Sequence, residues 1–127
     1  MSLLPKLLVL CEDAEVRTDL KQSFKHSPMK RVFYKTKMAL RRAIAKRAGN
    51  AVVFAGDHAG SKVRDVIEWP EVREAHVPVI AVSRHSETRD YLAAMDAGAF
   101  DYMAGPLQRE EVSRIVKKAL EKQEVSK

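Results

Sequence analysis

The segment 77–107 reads VPVIAVSRHSETRDYLAAMDAGAFDYMAGPL, and it decides the fold. An apolar run at 77–82 is followed by a helical pattern at 86–97, which Gly98 ends, and then by a second apolar run at 100–103. Apolar runs of this kind are typical of strands buried on both faces, and a helix between them is typical of the crossover that joins parallel strands. The segment therefore predicts a βαβ unit of an α/β protein.

The same alternation extends outward over nearly the whole chain. Five apolar runs alternate with five helical patterns, with short connections between them. The predicted strands are 7–11, 31–34, 51–55, 77–82 and 100–103, and the predicted helices are 14–25, 38–48, 62–74, 86–97 and 108–121. Five βα units imply a doubly wound parallel sheet with helices on both faces. The best match is the flavodoxin-like (βα)5 sheet with strand order 2-1-3-4-5.

Individual residues predict where the helices begin and end. Asp13 is expected to cap the first helix, and Ser27-Pro28 is expected to break it. Gly49-Asn50 is expected to end the second helix. Pro70 is expected to shorten or kink the third helix.

Length and composition favour a single cytoplasmic domain over residues 1–127. One cysteine, Cys11, excludes a disulfide within the chain, and no secretory signal pattern is present. The apolar runs are shorter than the about 18 residues that a membrane-spanning helix needs, so no membrane contact is predicted. Residues 1–5 are interpreted as an N-terminal extension or a cloning remnant, and 122–127 as a polar tail or the start of a linker.

Positive charge is concentrated in one part of this chain of net charge +6. The segment 30–47 contains no acid, and its basic residues are Lys30, Arg31, Lys35, Lys37, Arg41, Arg42, Lys46 and Arg47. One interpretation is a solvated helix face, because lysine and arginine are ordinary surface residues. The alternative is a docking patch for an acidic partner or for nucleic acid.

In a sheet of this order, the working crevice lies at the carboxyl ends of the strands, around the first and third strands. The residues of interest are therefore those that follow Leu10, Phe54, Val82 and Met103. No glycine-rich phosphate loop is present, and the sequence predicts no enzyme. The four histidines show no metal-ligand spacing: His26, His58, His76 and His85.

Residues 50–60, which read NAVVFAGDHAG, and residues 77–107 together resemble the receiver domain of two-component response regulators. The resemblance extends from Lys6 to Leu120, and it implies a role in phosphorelay signal transduction, with transcription regulation as one output. In that family the third strand ends on an aspartate that accepts a phosphoryl group. The matching residue here is Ala55.

Asp57 lies two residues beyond Ala55 and offers an alternative match for the acceptor. Receivers commonly carry a glycine five residues after the acceptor, and Gly60 has that spacing from Ala55. Asn50 lies where receivers commonly carry an aspartate. A strand that reached Asp57 would also place Gly56 in its interior. The match to Ala55 is therefore preferred, and a receiver phosphorylated on Asp57 is the alternative.

The resemblance also implies a Mg²⁺ site, because receivers bind this hard cation with an acidic pair after the first strand. The match places Cys11 and Glu12 on the pair and Asp13 on the residue after it. Glu12 is then a weak candidate for Mg²⁺, since Asp13 is expected to cap a helix. No cofactor is expected, and any Mg²⁺ binding is predicted to be weak.

Two further positions of the resemblance lie after the fourth and fifth strands. Ser83 matches a hydroxyl residue that hydrogen-bonds the phosphoryl group. Gly105 matches a lysine that precedes a proline, often in a cis peptide. A lysine beside a crevice without carboxylates would be a costly unpaired cation, so the losses at Ala55 and Gly105 are consistent with each other. The sequence predicts an atypical receiver that is not switched by aspartyl phosphorylation.

Receivers dimerise and contact their output through the fourth helix, fifth strand and fifth helix. The candidates on this face are Tyr91, Met95, Tyr102 and Arg109, and the apolar side of the fourth helix is assigned to Tyr91, Leu92 and Met95. Tyr102 matches an aromatic residue that changes rotamer on activation, although a half-buried strand tyrosine explains it equally. The expected partners are a protein or output domain and a second copy of the chain. A histidine kinase is not expected, and nucleic-acid binding by this domain alone is the less favoured alternative.

Overall fold

The computed structural model describes residues 4–25 and 29–125, so the predicted break at Ser27-Pro28 lies outside the described residues. Within these ranges the chain forms five strands and six helices. The strands are β1 (Lys6–Cys11), β2 (Lys30–Tyr34), β3 (Ala51–Gly56), β4 (Val79–Ser83) and β5 (Asp101–Ala104). The helices are α1 (Ala14–Ser23), α2 (Lys37–Ala45), α3 (Ala59–Ile67), α4 (Pro70–Ala75), α5 (Thr88–Ala97) and α6 (Arg109–Val125).

All five strands are parallel and form one sheet in the order β2-β1-β3-β4-β5, which confirms the predicted topology. Alternate residues of each strand face opposite sides of the sheet. On one side, Leu8 and Phe54 belong to the apolar core formed with α2, α3, α4 and α5. On the other side, Leu7 and Val53 belong to the core formed with α1 and α6. The continuous apolar runs follow from burial on both faces.

Two predicted helix ends are confirmed. Asp13 caps α1, because its Oδ1 accepts hydrogen bonds from the backbone N–H groups of Glu15 (2.9 Å) and Val16 (3.1 Å). Gly98 ends α5 with φ +98°, a conformation that glycine adopts without steric cost. Asp13 thus pairs with N–H groups at the beginning of α1, and the N–H of Gly98 pairs with the carbonyls of Ala94 and Met95 at the end of α5. Helix ends would otherwise leave such groups without partners.

The predicted third helix, 62–74, is two helices in the structure, so the expected shortening at Pro70 is confirmed and the single helix is wrong. Instead, α3 ends at Ile67 and Pro70 begins a separate helix, α4, after an extended Trp69. Proline suits the first turn of a helix, where its missing N–H costs nothing. The domain therefore has six helices, and α5 and α6 correspond to the predicted fourth and fifth helices.

The ends of α2 and α6 also differ from the predictions. α2 ends at Ala45, and the left-handed residue after it is Arg47 (φ 56°), not Gly49. Gly49 is required for space instead, because a Cβ there would overlap the side chain of Leu8. α6 continues to Val125, so most of the predicted polar tail is helical. The remaining element ends differ from the predicted ones by a few residues.

Candidate functional site

The crevice at the carboxyl edge of the sheet brings the ends of the strands side by side. Cys11 of β1 pairs with Ala55 of β3, and Gly56 of β3 pairs with Ser83 of β4. Ala55 is fully buried, and its carbonyl accepts a hydrogen bond of 3.1 Å from the N–H of Glu12. Its methyl group offers no oxygen to a metal ion or a phosphoryl donor.

Asp57 follows the end of β3 directly, because β3 continues one residue beyond the predicted end and includes Gly56 as its last residue. The Asp57 side chain is 58% exposed, and its Oδ1 lies 3.8 Å from Nε2 of His58. Asp57 therefore lies in the turn before α3, at the mouth of the crevice, and it stays the alternative acceptor.

Two carboxylates after β1, those of Asp13 and Glu15, form ion pairs with an arginine of the same chain. Arg84, directly after β4, places Nη2 2.9 Å from Oε1 of Glu15 and Nη1 3.6 Å from Oδ2 of Asp13. Within the described residues, its Nε is buried and has no hydrogen-bond partner. The arginine fixes positive charge beside the carboxylate of Asp13, a residue that the resemblance places near a metal site.

Cys11 is 3% exposed, and its thiol donates a hydrogen bond of 3.1 Å to the carbonyl of Asp13. Burial raises the pKa of the Cys11 thiol above its ordinary value, so the neutral thiol is favoured. A neutral thiol is a poor ligand for Mg²⁺, which prefers several oxygen ligands.

The carboxylates here do not fit a Mg²⁺ ion either. Asp13 is engaged by the N-terminus of α1 and by Arg84, which leaves the exposed carboxylates of Glu12 and, at the mouth of the crevice, Asp57. Mg²⁺ is usually held by one or two well-placed carboxylates, and Ala55 supplies none. We therefore derive no chemistry through Mg²⁺ at this position.

Ser83 is not a free hydroxyl at the end of β4. It is fully buried, its Oγ donates to Oδ2 of Asp90 (3.0 Å), and it accepts from the N–H of Gly60 (3.0 Å). Ser61 also donates a hydrogen bond to Oδ1 of Asp90. These bonds join β4, α3 and α5 in one polar network around the buried Ser83 and Asp90, which we call the Asp90 network (Gly60, Ser61, Ser83 and Asp90).

Asp90 was not predicted as a site residue, because a charged residue next to the apolar Tyr91 and Leu92 is expected on the polar, solvent-facing side of a helix. The structure shows Asp90 (2% exposed) and Ala94 on the buried side of α5. The side of α5 described as apolar does not face the core: Tyr91, Leu92 and Met95 are 46%, 58% and 37% exposed. The exposure of Tyr91 and Met95 is compatible with their place on the predicted output face.

Gly105 begins the loop after β5, and its peptide bond to Pro106 is cis. The N–H of Gly105 donates a hydrogen bond of 3.1 Å to the carbonyl of Ser83. A Cβ at Gly105 would lie 2.5 Å from the carbonyl oxygen of Arg84. The backbone therefore leaves no room for a side chain at the position that the resemblance assigns to lysine.

The predicted output face is exposed and partly aromatic. The rings of Tyr91 on α5 and Tyr102 on β5 meet edge to face, with centroids 5.8 Å apart. Tyr102 is half-buried, and its hydroxyl is buried with no hydrogen-bond partner among the described residues. Arg109 is exposed at the start of α6, and Met95 is exposed on α5. The four candidates therefore lie on neighbouring elements.

Part of the basic segment 30–47 is paired within the domain. Arg41 contacts both oxygens of Glu71 on α4, with Nη2–Oε1 at 3.0 Å, and its guanidinium lies over the ring of Trp69. Lys37 pairs with Asp65 at 3.1 Å. A backbone hydrogen bond and then the bond from Arg41 lower the pKa of Glu71. These contacts attach α2 to α3 and α4, and this pairing within the domain favours the interpretation as an ordinary solvated helix face over a docking patch.

Comparison with known proteins identifies the fold. No protein-family model matches the chain. The signal receiver domain of a LuxO repressor protein from Vibrio parahaemolyticus superposes with a TM-score of 0.76 and 18% identity, over 98% of this chain and 95% of that one. A CheY-like receiver domain protein from Methanospirillum hungatei has a TM-score of 0.74 and 16% identity, over 98% and 100% of the two chains. The chain has the fold of response regulator receiver domains.

Two further similar proteins are a structure that contains magnesium and a transcriptional regulator matched by sequence. The receiver domain of the sensor histidine kinase PA1611 from Pseudomonas aeruginosa, solved with magnesium in its active site cleft, has a TM-score of 0.72 and 18% identity over 93% of this chain and 98% of that one. The KDP operon transcriptional regulatory protein KdpE of Escherichia coli is 40% identical over 58 residues. That match covers 46% of this chain and 24% of KdpE, so the chain spans about a quarter of that relative's length.

The structure also bears on membrane association. Among the described residues, no helix is long and apolar enough to cross a bilayer.

Proposed function

We propose that this chain is an atypical receiver domain of a two-component system, which acts through contact with other proteins and is not switched by aspartyl phosphorylation. One observation carries this proposal. The end of β3 presents the buried methyl group of Ala55, while the Ser83 hydroxyl beside it is already bonded to Asp90. A phosphoryl switch of the receiver type needs a carboxylate at the first position and a hydroxyl available at the second.

The surroundings of Ala55 support the same conclusion. A transferred phosphoryl group carries spread negative charge, which phosphotransfer sites stabilise with metal ions and positioned cations. Here Asp13 caps α1 and pairs with Arg84, and Gly105 offers neither a side chain nor room for one. The functional consequence is a domain whose conformation is set by its own sequence or by a bound protein.

The exposed face of α5, β5 and α6 is the proposed site of that contact. It presents Tyr91, Leu92 and Met95 on α5, Tyr102 on β5 and Arg109 at the beginning of α6. Apolar and aromatic residues with an arginine are enriched in the centres of protein interfaces. The proposed partners are an output domain, as in a transcriptional regulator, or a second copy of this chain. A cytoplasmic location and the lack of need for a histidine kinase belong to the same proposal.

The experiment is incubation with acetyl phosphate and Mg²⁺, followed by intact-mass spectrometry of the wild type and of Asp57→Ala. We expect no phosphoryl adduct on either protein. A stoichiometric adduct on the wild type that disappears in Asp57→Ala would contradict the proposal and establish Asp57 as the acceptor. An adduct that persists in Asp57→Ala would equally contradict it, since another residue would then be modified.

A further inference from the structure

Three side chains of types that ligate metals, from the turn before α3 and from the beginning of α5, meet at the Asp90 network. His58 lies in the turn before α3, Glu87 is the last residue before α5, and Asp90 lies in the first turn of α5. Nδ1 of His58 is 2.9 Å from Oε1 of Glu87 and 3.7 Å from Oδ2 of Asp90. All three atoms lie within 4.8 Å of one another. We propose that they bind a divalent transition-metal ion, with Zn²⁺ as the best fit.

The distances suit a tetrahedral site. Zn²⁺ binds imidazole nitrogen at about 2.0–2.1 Å and carboxylate oxygen at about 2.0–2.2 Å, so neighbouring ligand atoms are roughly 3.3–3.5 Å apart. The two separations from His58 Nδ1, 2.9 and 3.7 Å, lie on either side of that value. Three protein ligands leave the fourth position to water, as in many open zinc sites.

The donor set selects for a transition metal over Mg²⁺ or Ca²⁺. Those hard cations take oxygen ligands, whereas an imidazole nitrogen with carboxylates suits zinc and other first-row metals. The site is also distinct from the residues that the receiver resemblance connects with Mg²⁺. Those residues, Glu12 and Asp13, follow β1, while His58 and Glu87 belong to the loops that precede α3 and α5.

The surroundings hold the proposed ligands in place. The Asp90 carboxylate is 2% exposed and accepts bonds from the hydroxyls of Ser61 and Ser83. Its two oxygens have lone pairs for a metal as well. On the opposite side of the imidazole, Oδ1 of Asp57 lies 3.8 Å from Nε2 of His58. A carboxylate near the second ring nitrogen and hydrogen bonds to a ligating carboxylate are typical of groups that orient metal ligands.

A metal here would connect the turn after β3 to the beginning of α5. Since α5 carries the exposed residues Tyr91, Leu92 and Met95, the ion would fix the position of the surface on which the proposed function depends. Zn²⁺ would thereby act on the same surface without phosphorylation, and it is proposed from the geometry of His58, Glu87 and Asp90 alone. Its binding is tested separately from phosphorylation.

The experiment is titration of the full chain with Zn²⁺ by calorimetry, and with Co²⁺ by visible absorption, both with Mg²⁺ in excess. We expect one Zn²⁺ per chain and the visible bands of tetrahedral Co²⁺. His58→Asn, which keeps a residue type that tolerates a positive φ, and Glu87→Gln should each weaken Zn²⁺ binding by at least about tenfold. Asp90 is left unchanged, because its substitution would disturb the fold.

The matched control is His85→Ala, which removes another exposed histidine from the loop before α5 and should leave Zn²⁺ binding unchanged. Three results would overturn the inference: no saturable Zn²⁺ binding to the wild type, equal binding by Glu87→Gln, or equal loss in His85→Ala. In the first case the three side chains form an ion pair and nothing more. Phosphorylation of Asp57 with intact Zn²⁺ binding would reject only the proposed function.

Discussion

Asp90 combines an ionisable side chain with an exposed fraction of 2%. Burial of an acid is costly unless hydrogen bonds replace those of water, and Ser61 and Ser83 supply them. These partners lie 29 and 7 residues away along the chain. Local sequence patterns cannot anticipate bonds between separate elements, so Asp90 resembled a surface residue. By contrast, the cap at Asp13 depends only on the next three residues, and the sequence predicted it correctly.

Gly60 explains why α5 turns Asp90 and Ala94, and not its larger apolar residues, toward the core. A Cβ at Gly60 would overlap the carbonyl oxygen of Asp90 and would lie 2.8 Å from Cε1 of Tyr102. The backbones of α3 and α5 therefore approach too closely for large side chains between them. Asp90 and Ala94 fit that space, while Tyr91 and Leu92 do not, and they remain outside.

We predict that Asp90→Ala lowers the free energy of unfolding by about 2–4 kcal/mol, because the buried hydroxyl of Ser83 and the hydroxyl of Ser61 lose the carboxylate that accepts their hydrogen bonds. Urea denaturation followed by circular dichroism measures this change. The control is Asp96→Ala on the same helix, whose carboxylate is 81% exposed and pairs with Arg64 at 2.8 Å. A surface pair of this kind contributes about 0–1 kcal/mol. Equal losses in the two variants would contradict the structural role of Asp90.

At the scale of elements, the strands were easier to predict than the helices. A strand buried on both faces is continuously apolar, and β1, β3 and β4 show this pattern in their sequence. Pro70 is compatible with either a kink inside a helix or the start of a new one. The choice depends on tertiary packing, because Trp69 is extended and buried just before the proline and Val72 is buried just after it.

The N-terminus of α1 gives a prediction at this scale. Asp13→Ala should lower the free energy of unfolding by about 1 kcal/mol, because two N–H groups of the first turn lose their acceptor. Chemical denaturation provides the measurement, and Asp19→Ala, exposed on the same helix, is the control. If Asp19→Ala destabilises the domain as much as Asp13→Ala does, the loss reflects charge on α1 and not the cap.

At the scale of the whole molecule, the sheet order followed from five apolar strands and the handedness of their connections. Hydrophobic periodicity alone did not predict the exposed surface, since an apolar helix side normally faces the core. Only the receiver resemblance placed Tyr91 and Met95 on a working surface. On α5 the apolar side faces solvent, with Leu92 58% exposed. Contiguous apolar surface on a small domain is a common feature of interaction sites, and this is the physical basis of the proposed interface.

We predict that the chain self-associates through this face and that Leu92→Glu or Met95→Glu weakens the dimer by at least about tenfold. A carboxylate buried at an interface without a partner loses its hydration, and a cost of about 1.4 kcal/mol already corresponds to tenfold in the dissociation constant. Sedimentation equilibrium over a range of concentrations measures it. The matched control is Met38→Glu, because Met38 is also 58% exposed but lies on α2. Dissociation by Met38→Glu alone would place the interface on the basic side of the domain. A wild-type chain that stays monomeric at every concentration would contradict the dimer. The face would then be expected to bind a different protein.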